Sequence, residues 1–442
     1  MGFFDRIFNT DTLDEEQPDI RFGRYSDAYK SAEQYDHWDK ALELFDEKSY
    51  HEAYDHFFTY LFDVDEKNVN WNKDEENIVF SIYQGSKIIR GKLDEKFIRV
   101  ETQVAQIKAP GVGFMRRLVE KNYDLKYCRF ALDEDNHIVI VFTSFLLDCS
   151  PYKLYYALKE LSTQADKIDD LLLDEFDVLK AVDSDCITDI DLVHKEVKYQ
   201  FIIKNIRKVL DFLDENNIIV SEYPGGVAYL LLDLCYKLDC LTRPEGFMME
   251  SLERIHRIYF AKNTKKTLER NMILSKEYRK LLTRSQADYF KEMYDTRSTF
   301  GITTPVDHYR VKNFIEGEIN NMDWYNDNGH LEVALAVPGY IIGYCMFNFA
   351  VPKPVRDFFI LYYQIIEYDY FVDLGYASNY VKEGALQAKA IKQAVLIISK
   401  RHRKAFPYVD PETRSLSYNS KQSFAKSYLL MVHGLNLNTT VS

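Results

Sequence analysis

The spacing of apolar residues changes near residue 77, and this change constrains the fold of the chain more than any other feature. Before this point apolar residues recur at helical intervals, whereas residues 78–83 and 87–90 follow an alternating pattern on either side of Gly85-Ser86. Alternation is typical of strands, and glycine supplies the positive φ angle that a two-residue hairpin turn requires. The sequence therefore predicts a sheet that begins with a tight hairpin.

A third strand is predicted over residues 96–107, with one buried and one solvent-facing side. Ile98, Val100 and Val104 occupy one face, because alternate residues of a strand point in the same direction. The other face carries the candidate partner-binding residues Phe97, Arg99 and Glu101. A competing interpretation is that other helices cover this second face and make it an internal contact.

The next segments predict two more strands and a long covering helix. Strands over residues 127–132 and 137–143 flank a polar turn at 133–136, after a short helix over 114–120. Ser150 is a favourable N-cap and Pro151 suits the first helical position, so a helix over 151–176 should cover the sheet. The predicted fold class is α+β and multi-domain, with an antiparallel sheet and covering helices followed by a mainly α-helical region.

Residues 70–178 resemble the YbjN-type family, whose fold is similar to that of type III secretion chaperones. The matching text is CRFALDEDNHIVIVF, followed by SPYKLYYALKELSTQADKIDDLLLDEF. His137 stands after the turn where the family more often has glycine. The resemblance implies a non-enzymatic module that binds a protein or peptide partner, and it implies no catalytic residues.

The segment that precedes this module resembles a single tetratricopeptide-type helical hairpin, over residues 26–62. Small and aromatic residues match that repeat, whereas Lys48 and Asp65 replace its glycine and its closing proline. One repeat cannot bury its own apolar face, so the hairpin should pack on the α+β module. The matching residues are Ala41, Tyr50, Ala53 and Phe57.

The length of 442 residues exceeds what one hydrophobic core usually supports, so several domains are expected. The predicted division is a polar tail (1–24), a helical hairpin (25–69), the α+β module (70–178), a helical domain (179–302), an aromatic-rich helical domain (303–410) and a C-terminal tail (411–442).

Charge and cysteine content bear on the class of partner and on the compartment. The net charge of −13 repels a phosphate backbone, which argues against nucleic acid as the main partner. The six cysteines form no CxxC pair, and residues 1–8 are too short for a signal peptide. The chain is therefore predicted to be cytoplasmic with reduced thiols.

Membrane association is an alternative that two segments raise. Residues 333–351 carry no charge and are nearly long enough to span a bilayer, but Pro338, Gly339 and Gly343 interrupt them. A buried helix or strand pair is the favoured interpretation, with the two glycines allowing close approach of another element. Residues 3–8 would be a short amphipathic anchor in the membrane alternative.

Motifs for known cofactor chemistry fail at required positions. His51 and His56 are five residues apart, whereas the zinc-protease helix needs four. The acidic turns at 133–136 and 183–185 lack the glycine and glutamate of a calcium loop. No cofactor, metal ligand or catalytic residue is therefore assigned, and the leading hypothesis is a non-enzymatic protein-binding, adaptor or chaperone-like protein.

An enzyme is the alternative from another class, and residues 358–371 are its best support. Tyr363, Glu367 and Tyr370 are spaced to lie on one face of a helix in an aromatic segment. A carboxylate framed by phenols in apolar surroundings can have a raised pKa and hold a ligand or act as an acid or base. These three residues are the candidate pocket.

Overall fold

The computed structural model describes residues 18–23, 29–109, 111–182, 186–296, 303–377 and 379–439. Residues 3–8, interpreted above as a possible membrane anchor, therefore lie outside the described residues. The acidic turn at 183–185 also lies outside them.

The N-terminal unit is a seven-stranded antiparallel sheet with covering helices, within the described part of the chain. The strand order is β1-β2-β3-β4-β6-β5, and β7 pairs with the end of β4. The α+β fold class predicted from the sequence is confirmed. The elements are α1 (Ala32–Asp46), α2 (Tyr50–Leu61), β1 (Val69–Lys73), β2 (Ile78–Gln84), β3 (Lys87–Leu93), β4 (Phe97–Ile107), α3 (Val112–Asp124), β5 (Arg129–Leu132), β6 (His137–Phe145), α4 (Pro151–Glu175) and β7 (Leu179–Ala181).

The hairpin between β2 and β3 turns at Gly85, as the sequence predicts. Gly85 has a φ of 50°, in the left-handed region that glycine adopts without strain. Asp166 of α4 anchors the turn, since its carboxylate accepts bonds from the Ser86 N–H (3.0 Å) and from Gln84 Nε2 (3.1 Å). A β-carbon at Gly85 would lie 1.8 Å from Asp166 Oδ1, so the close approach also requires glycine.

Helix α4 begins where the sequence places it and covers one face of the sheet. The Ser150 side chain accepts a bond from the Lys153 N–H, and Pro151 is the first helical residue. Leu154 and Leu161 of α4 are fully buried in the same cluster as Ile98 of β4. The pattern of alternating burial along β4 confirms the orientation predicted for that strand.

The helical hairpin α1–α2 shares one hydrophobic core with the sheet. Phe57 and Phe58 of α2 are fully buried, and the rings of Phe58 and Phe80 of β2 lie 4.5 Å apart. The hairpin thus buries its apolar face on the α+β module, as expected for a single helix pair. Residues 25–69 and 70–178 contribute to the same core.

The rest of the chain is mainly helical and builds a second core. One hydrophobic cluster extends from Ile190 to Leu435, so residues 179–302 and 303–410 contribute to it together. Phe22 also belongs to this cluster and contacts Phe371, so this residue of the predicted polar tail (1–24) is part of the core. The elements are β8 (Ile187–Asp189), α5 (Leu192–Glu215), α6 (Asn217–Glu222), α7 (Pro224–Thr242), α8 (Gly246–Phe260), α9 (Thr267–Leu281), α10 (Gln286–Lys291), β9 (Tyr294–Thr296), β10 (Thr304–Pro305), α11 (His308–Glu318), α12 (Asn321–Asp327), α13 (Leu331–Asn348), β11 (Phe349–Ala350), α14 (Lys353–Ile366), α15 (Tyr368–Asp373), β12 (Val381–Lys382), β13 (Ala385–Leu386), α16 (Ala388–His402) and α17 (Lys421–His433).

The C-terminal segment 411–442 differs from the tail expected from the sequence, because it contains α17. Phe424, Tyr428 and Leu429 of this helix are fully buried. The Tyr428 hydroxyl donates a bond to the Phe358 carbonyl of α14 at 2.8 Å. Apolar burial and this hydrogen bond hold the segment in the core.

Helix α13 contains most of the uncharged stretch and lies in the core of the helical region. It is the one helix of the described residues that is long and apolar enough to cross a membrane, and 61% of its apolar window is buried. A β-carbon at Gly339 would lie 2.0 Å from Asp233 Oδ1, and one at Gly343 would lie 2.4 Å from Tyr236 Cβ. The two glycines therefore allow α7 to approach closely, as the sequence predicts.

Candidate functional site

The second face of the sheet is open to solvent at the three residues predicted to bind a partner. Phe97 is 40% exposed, and the side chains of Arg99 and Glu101 are 62% and 45% exposed. The described helices leave these side chains uncovered, which argues against an internal domain contact at this position. Arg99 Nη2 pairs with Glu101 Oε2 at 2.8 Å along the strand.

An aromatic pair lies at the end of this face. Phe97 of β4 is directly opposite Phe145 of β6, and their ring centroids are 4.8 Å apart. Phe145 is 55% exposed and is not among the predicted site residues, because the sequence predicts that the strand ends at residue 143. Continued alternation in the last two residues of β6 is the signal that identifies Phe145.

The same face is basic, although the chain is acidic. The strand register places Arg90 beside Glu101, Glu101 beside Val141, and Val141 beside Arg129. Lys92 lies beside Arg99 in the neighbouring row. Over strands β3 to β6 this solvent face therefore carries four cationic side chains and one carboxylate, on a chain with a net charge of −13.

A cavity of about 950 Å³ lies in the helical region and is lined by all three candidate pocket residues, Tyr363, Glu367 and Tyr370. Helices α5, α7, α13, α14 and α15 surround it, together with the hairpin β12–β13. Its size is in the range of small-molecule sites in proteins.

The predicted arrangement of these residues on one helical face is wrong, because the helix ends between them. Helix α14 ends at Ile366 and α15 begins at Tyr368, and Glu367 has φ −100° and ψ 37°. The Glu367 N–H donates to the Tyr363 carbonyl at 2.8 Å and closes the last turn of α14. The bend leaves the Glu367 carboxylate beside Lys237 of α7.

Three charged groups meet in the cavity wall. Lys237 Nζ lies 2.8 Å from Glu367 Oε1 and 3.2 Å from Asp233 Oδ2, and these side chains are 12% to 19% exposed. Asp233 and Lys237 are not among the residues that the sequence singles out. The available signal is their four-residue spacing, which places two opposite charges on one face of a mainly apolar helix.

Two polar atoms of this wall have no hydrogen-bond partner among the described residues, namely Asp233 Oδ1 and the Tyr363 hydroxyl. Tyr370 differs, because its hydroxyl donates to the Leu241 carbonyl at 2.9 Å. Both atoms face glycines of α13, since a β-carbon at Gly339 would lie 2.0 Å from Asp233 Oδ1 and one at Gly343 would lie 3.2 Å from the Tyr363 hydroxyl. Tyr363 is fully buried and Asp233 is 9% exposed.

The pKa values of the two carboxyl groups are shifted in opposite directions, although the Lys237 ammonium acts to lower both. Burial, with a contribution from nearby Glu367, raises the pKa of Asp233 to about 6 against the attraction of Lys237. Burial also acts to raise the pKa of Glu367, but the Lys237 ammonium and its hydrogen bond outweigh burial and lower that pKa. The shorter contact to Lys237 agrees with Glu367 as its main counter-charge.

We expect the substitution Asp233→Asn to change how stability depends on pH. Since the folded pKa of Asp233 is raised to about 6, the native protein binds more protons than the unfolded chain between roughly pH 4 and pH 6. The wild-type protein should therefore lose up to about 3 kcal/mol of unfolding free energy, relative to the variant, as the pH rises from 4 to 7. Urea unfolding at several pH values measures this difference, and parallel pH profiles would contradict the expectation.

Two other polar clusters lie in the N-terminal unit. Asp169 of α4 pairs with buried Lys87 at 2.8 Å and accepts a bond from Ser86 at the β2–β3 turn. His56 contacts His37 of α1 through their Nδ1 atoms, 2.7 Å apart. The described ranges contain no group of three or more His, Cys, Asp or Glu side chains placed to hold a metal ion.

No protein-family model matches this chain, and no curated protein is similar to it at a significant level, so its function is inferred from geometry.

Proposed function

We propose that this chain is a non-enzymatic protein-binding or adaptor protein that captures an acidic protein segment on the open face of its sheet. The observation that carries the proposal is the exposed Phe97–Phe145 pair within a basic surface of an acidic chain.

Charge complementarity selects the class of partner. The face formed by Arg90, Lys92, Arg99 and Arg129 attracts acidic side chains, whereas the remaining acidic surface repels them. Arginine also forms paired hydrogen bonds with carboxylates, which fixes the orientation of a bound segment. An acidic segment is therefore directed to the sheet.

The aromatic pair supplies an apolar anchor for the same segment. Binding energy concentrates in a few aromatic and arginine residues at the centre of an interface. Phe97 and Phe145 are 40% and 55% exposed, so an apolar side chain of the partner gains contact area there. The resemblance of residues 70–178 to YbjN-type and type III secretion chaperone-like proteins supports the same function.

A reducing cytoplasmic location belongs to this proposal. All six cysteines are buried and form no disulfide, although Cys235 and Cys240 lie only five residues apart. Free buried thiols are typical of proteins from reducing compartments.

We expect Phe97→Ala to weaken binding of an acidic partner by roughly 1 to 3 kcal/mol, because the substitution removes an interface anchor. Arg99→Ala should have an effect of the same order. A synthetic peptide of alternating glutamate and leucine serves as the probe, and fluorescence anisotropy of the labelled peptide with the full-length chain gives the dissociation constant.

Phe260→Ala is the matched control, since Phe260 of α8 is also 40% exposed and lies on the helical region. This variant should bind the peptide as the wild type does. The binding-face proposal fails if Phe97→Ala lowers the melting temperature and leaves peptide affinity unchanged. Tighter binding of a labelled thymidine oligonucleotide than of the peptide would assign the face to single-stranded nucleic acid instead.

A further inference from the structure

Helix α3 carries a line of exposed apolar side chains on the side that faces solvent. Val112 is 87% exposed, Met115 39%, Val119 68% and Tyr123 92%. Their spacing of three or four residues places them along one face of the helix, and they form the apolar stripe of α3. The outer face of a surface helix is normally polar, so a continuous apolar stripe there marks an interaction surface.

The opposite face of α3 holds the helix on the N-terminal unit. Phe114 and Leu118 are buried in the same core as α4 and the sheet. Asn122 bonds twice to the backbone of Phe130 in β5, since its Oδ1 accepts from the Phe130 N–H at 2.6 Å and its Nδ2 donates to the Phe130 carbonyl at 3.2 Å. The apolar stripe cannot turn inward without breaking these contacts.

The exposed charges of α3 change sign along the helix. Arg116 and Arg117 come first, and Glu120 and Asp124 follow, whereas Lys121 is only partly exposed. This order is unfavourable for a single helix, because an acidic residue four positions before a basic one is the better pair and because the helix dipole favours cations at the end where Asp124 lies. The Arg116–Glu120 pair, at 2.9 Å, has the reverse order and is exposed, so it adds little to the stability of the monomer.

A second copy of the chain matches both the stripe and the order of the charges. A twofold-symmetric contact uses the same surface on both copies, so that surface must be complementary to itself. In two antiparallel α3 helices, residues at equal distances from the middle of the stripe, near Leu118, come together. Arg116 of each copy then lies beside Glu120 of the other, and Val112 lies near Tyr123 of the other copy.

Partners with a single sign of charge match this surface less well. Its exposed charges are two arginines and two carboxylates, so neither an acidic nor a basic partner is selected. An anionic lipid surface would also repel a chain with a net charge of −13. Self-complementarity therefore favours a second copy as the occupant.

We infer that α3 is a self-association surface, on which two copies of the chain pair with their α3 helices antiparallel. The proposed capture of an acidic segment does not depend on this contact, because Phe97 lies on the open face of the sheet and α3 packs on the core of the other face. A specific interface usually buries about 800 Å² on each partner, more than four side chains of one helix supply, so we expect a weak dimer with a dissociation constant of roughly 10 μM to 1 mM.

Sedimentation equilibrium of the full-length chain over this concentration range tests the inference, and we expect a reversible monomer–dimer equilibrium. Val119→Asp should raise the dissociation constant about tenfold, which corresponds to about 1.4 kcal/mol, because it places a carboxylate in the apolar contact. Val64→Asp is the matched control, since Val64 is 70% exposed and lies between α2 and β1. This control should leave the dimer unchanged.

Charge reversal tests the antiparallel arrangement. Arg116→Glu places carboxylates of the two copies beside each other and should weaken the dimer. Adding Glu120→Arg restores opposite charges across the contact and should restore the affinity. All four side chains changed in these variants are exposed, and the melting temperature of each variant reports on its folding.

A monomer at every concentration would overturn the inference. So would a dimer that Val64→Asp weakens as much as Val119→Asp, or one that the double charge reversal leaves as weak as Arg116→Glu does. Binding to phosphatidylserine vesicles that Val119→Asp abolishes, without self-association, would overturn it as well and assign the stripe to a lipid surface.

Discussion

Replacing Gly343 by alanine is expected to destabilise the protein by about 3 kcal/mol, the upper range for overpacking a well-packed core. The new β-carbon would lie 2.4 Å from Tyr236 Cβ and 3.2 Å from the Tyr363 hydroxyl. A β-carbon cannot move without its helix, so α13 and α7 must separate along their contact. Thermal and urea unfolding of the full-length chain measure the effect.

Gly317→Ala is the control for this experiment, because a β-carbon at Gly317 of α11 meets no atom within 4 Å. Alanine stabilises a helix relative to glycine by roughly 0.5–1 kcal/mol, so this variant should be as stable as the wild type or slightly more stable. If both variants unfold alike, the close contact of α7 and α13 is not present in solution.

Local patterns in the sequence are sufficient to predict much of the N-terminal unit. Alternation predicts the orientation of β4, and Ser150 with Pro151 predicts the start of α4. Strands β1 and β7 are not predicted, because β7 has only three residues and β1 has only two apolar residues among five. These strands form because neighbouring strands offer hydrogen bonds, and that information is not local.

The candidate pocket is only partly predictable for a related reason. Glu367 stands out as a carboxylate between tyrosines, but its counter-charge Lys237 lies on a helix 130 residues earlier. Helical spacing also predicts a continuous helix through residue 371, whereas the chain bends at Glu367. The packing of α7 on α13 and the position of the bend at Glu367 determine which charges meet, and spacing within one segment cannot reveal such contacts.

Replacing Lys237 by methionine is expected to destabilise the protein by about 3–5 kcal/mol, because it leaves two carboxylates without their shared counter-charge. Asp233 and Glu367 have side chains that are only 12% and 19% exposed, so water cannot fully replace the ammonium. Lys291→Met is the control, since Lys291 pairs with Asp288 at the surface and its removal should have little effect.

Two further measurements separate this electrostatic cause from a loss of packing. Adding Asp233→Asn and Glu367→Gln to Lys237→Met removes the uncompensated charges and should restore most of the lost stability, as neutral replacements of buried ion pairs often do. The single variant should also recover stability on acidification, because without Lys237 burial raises the carboxyl pKa values and the protonated forms favour the fold at low pH. A triple variant as unstable as Lys237→Met at every pH would show that the lysine stem supports the helix packing and that its charge does not.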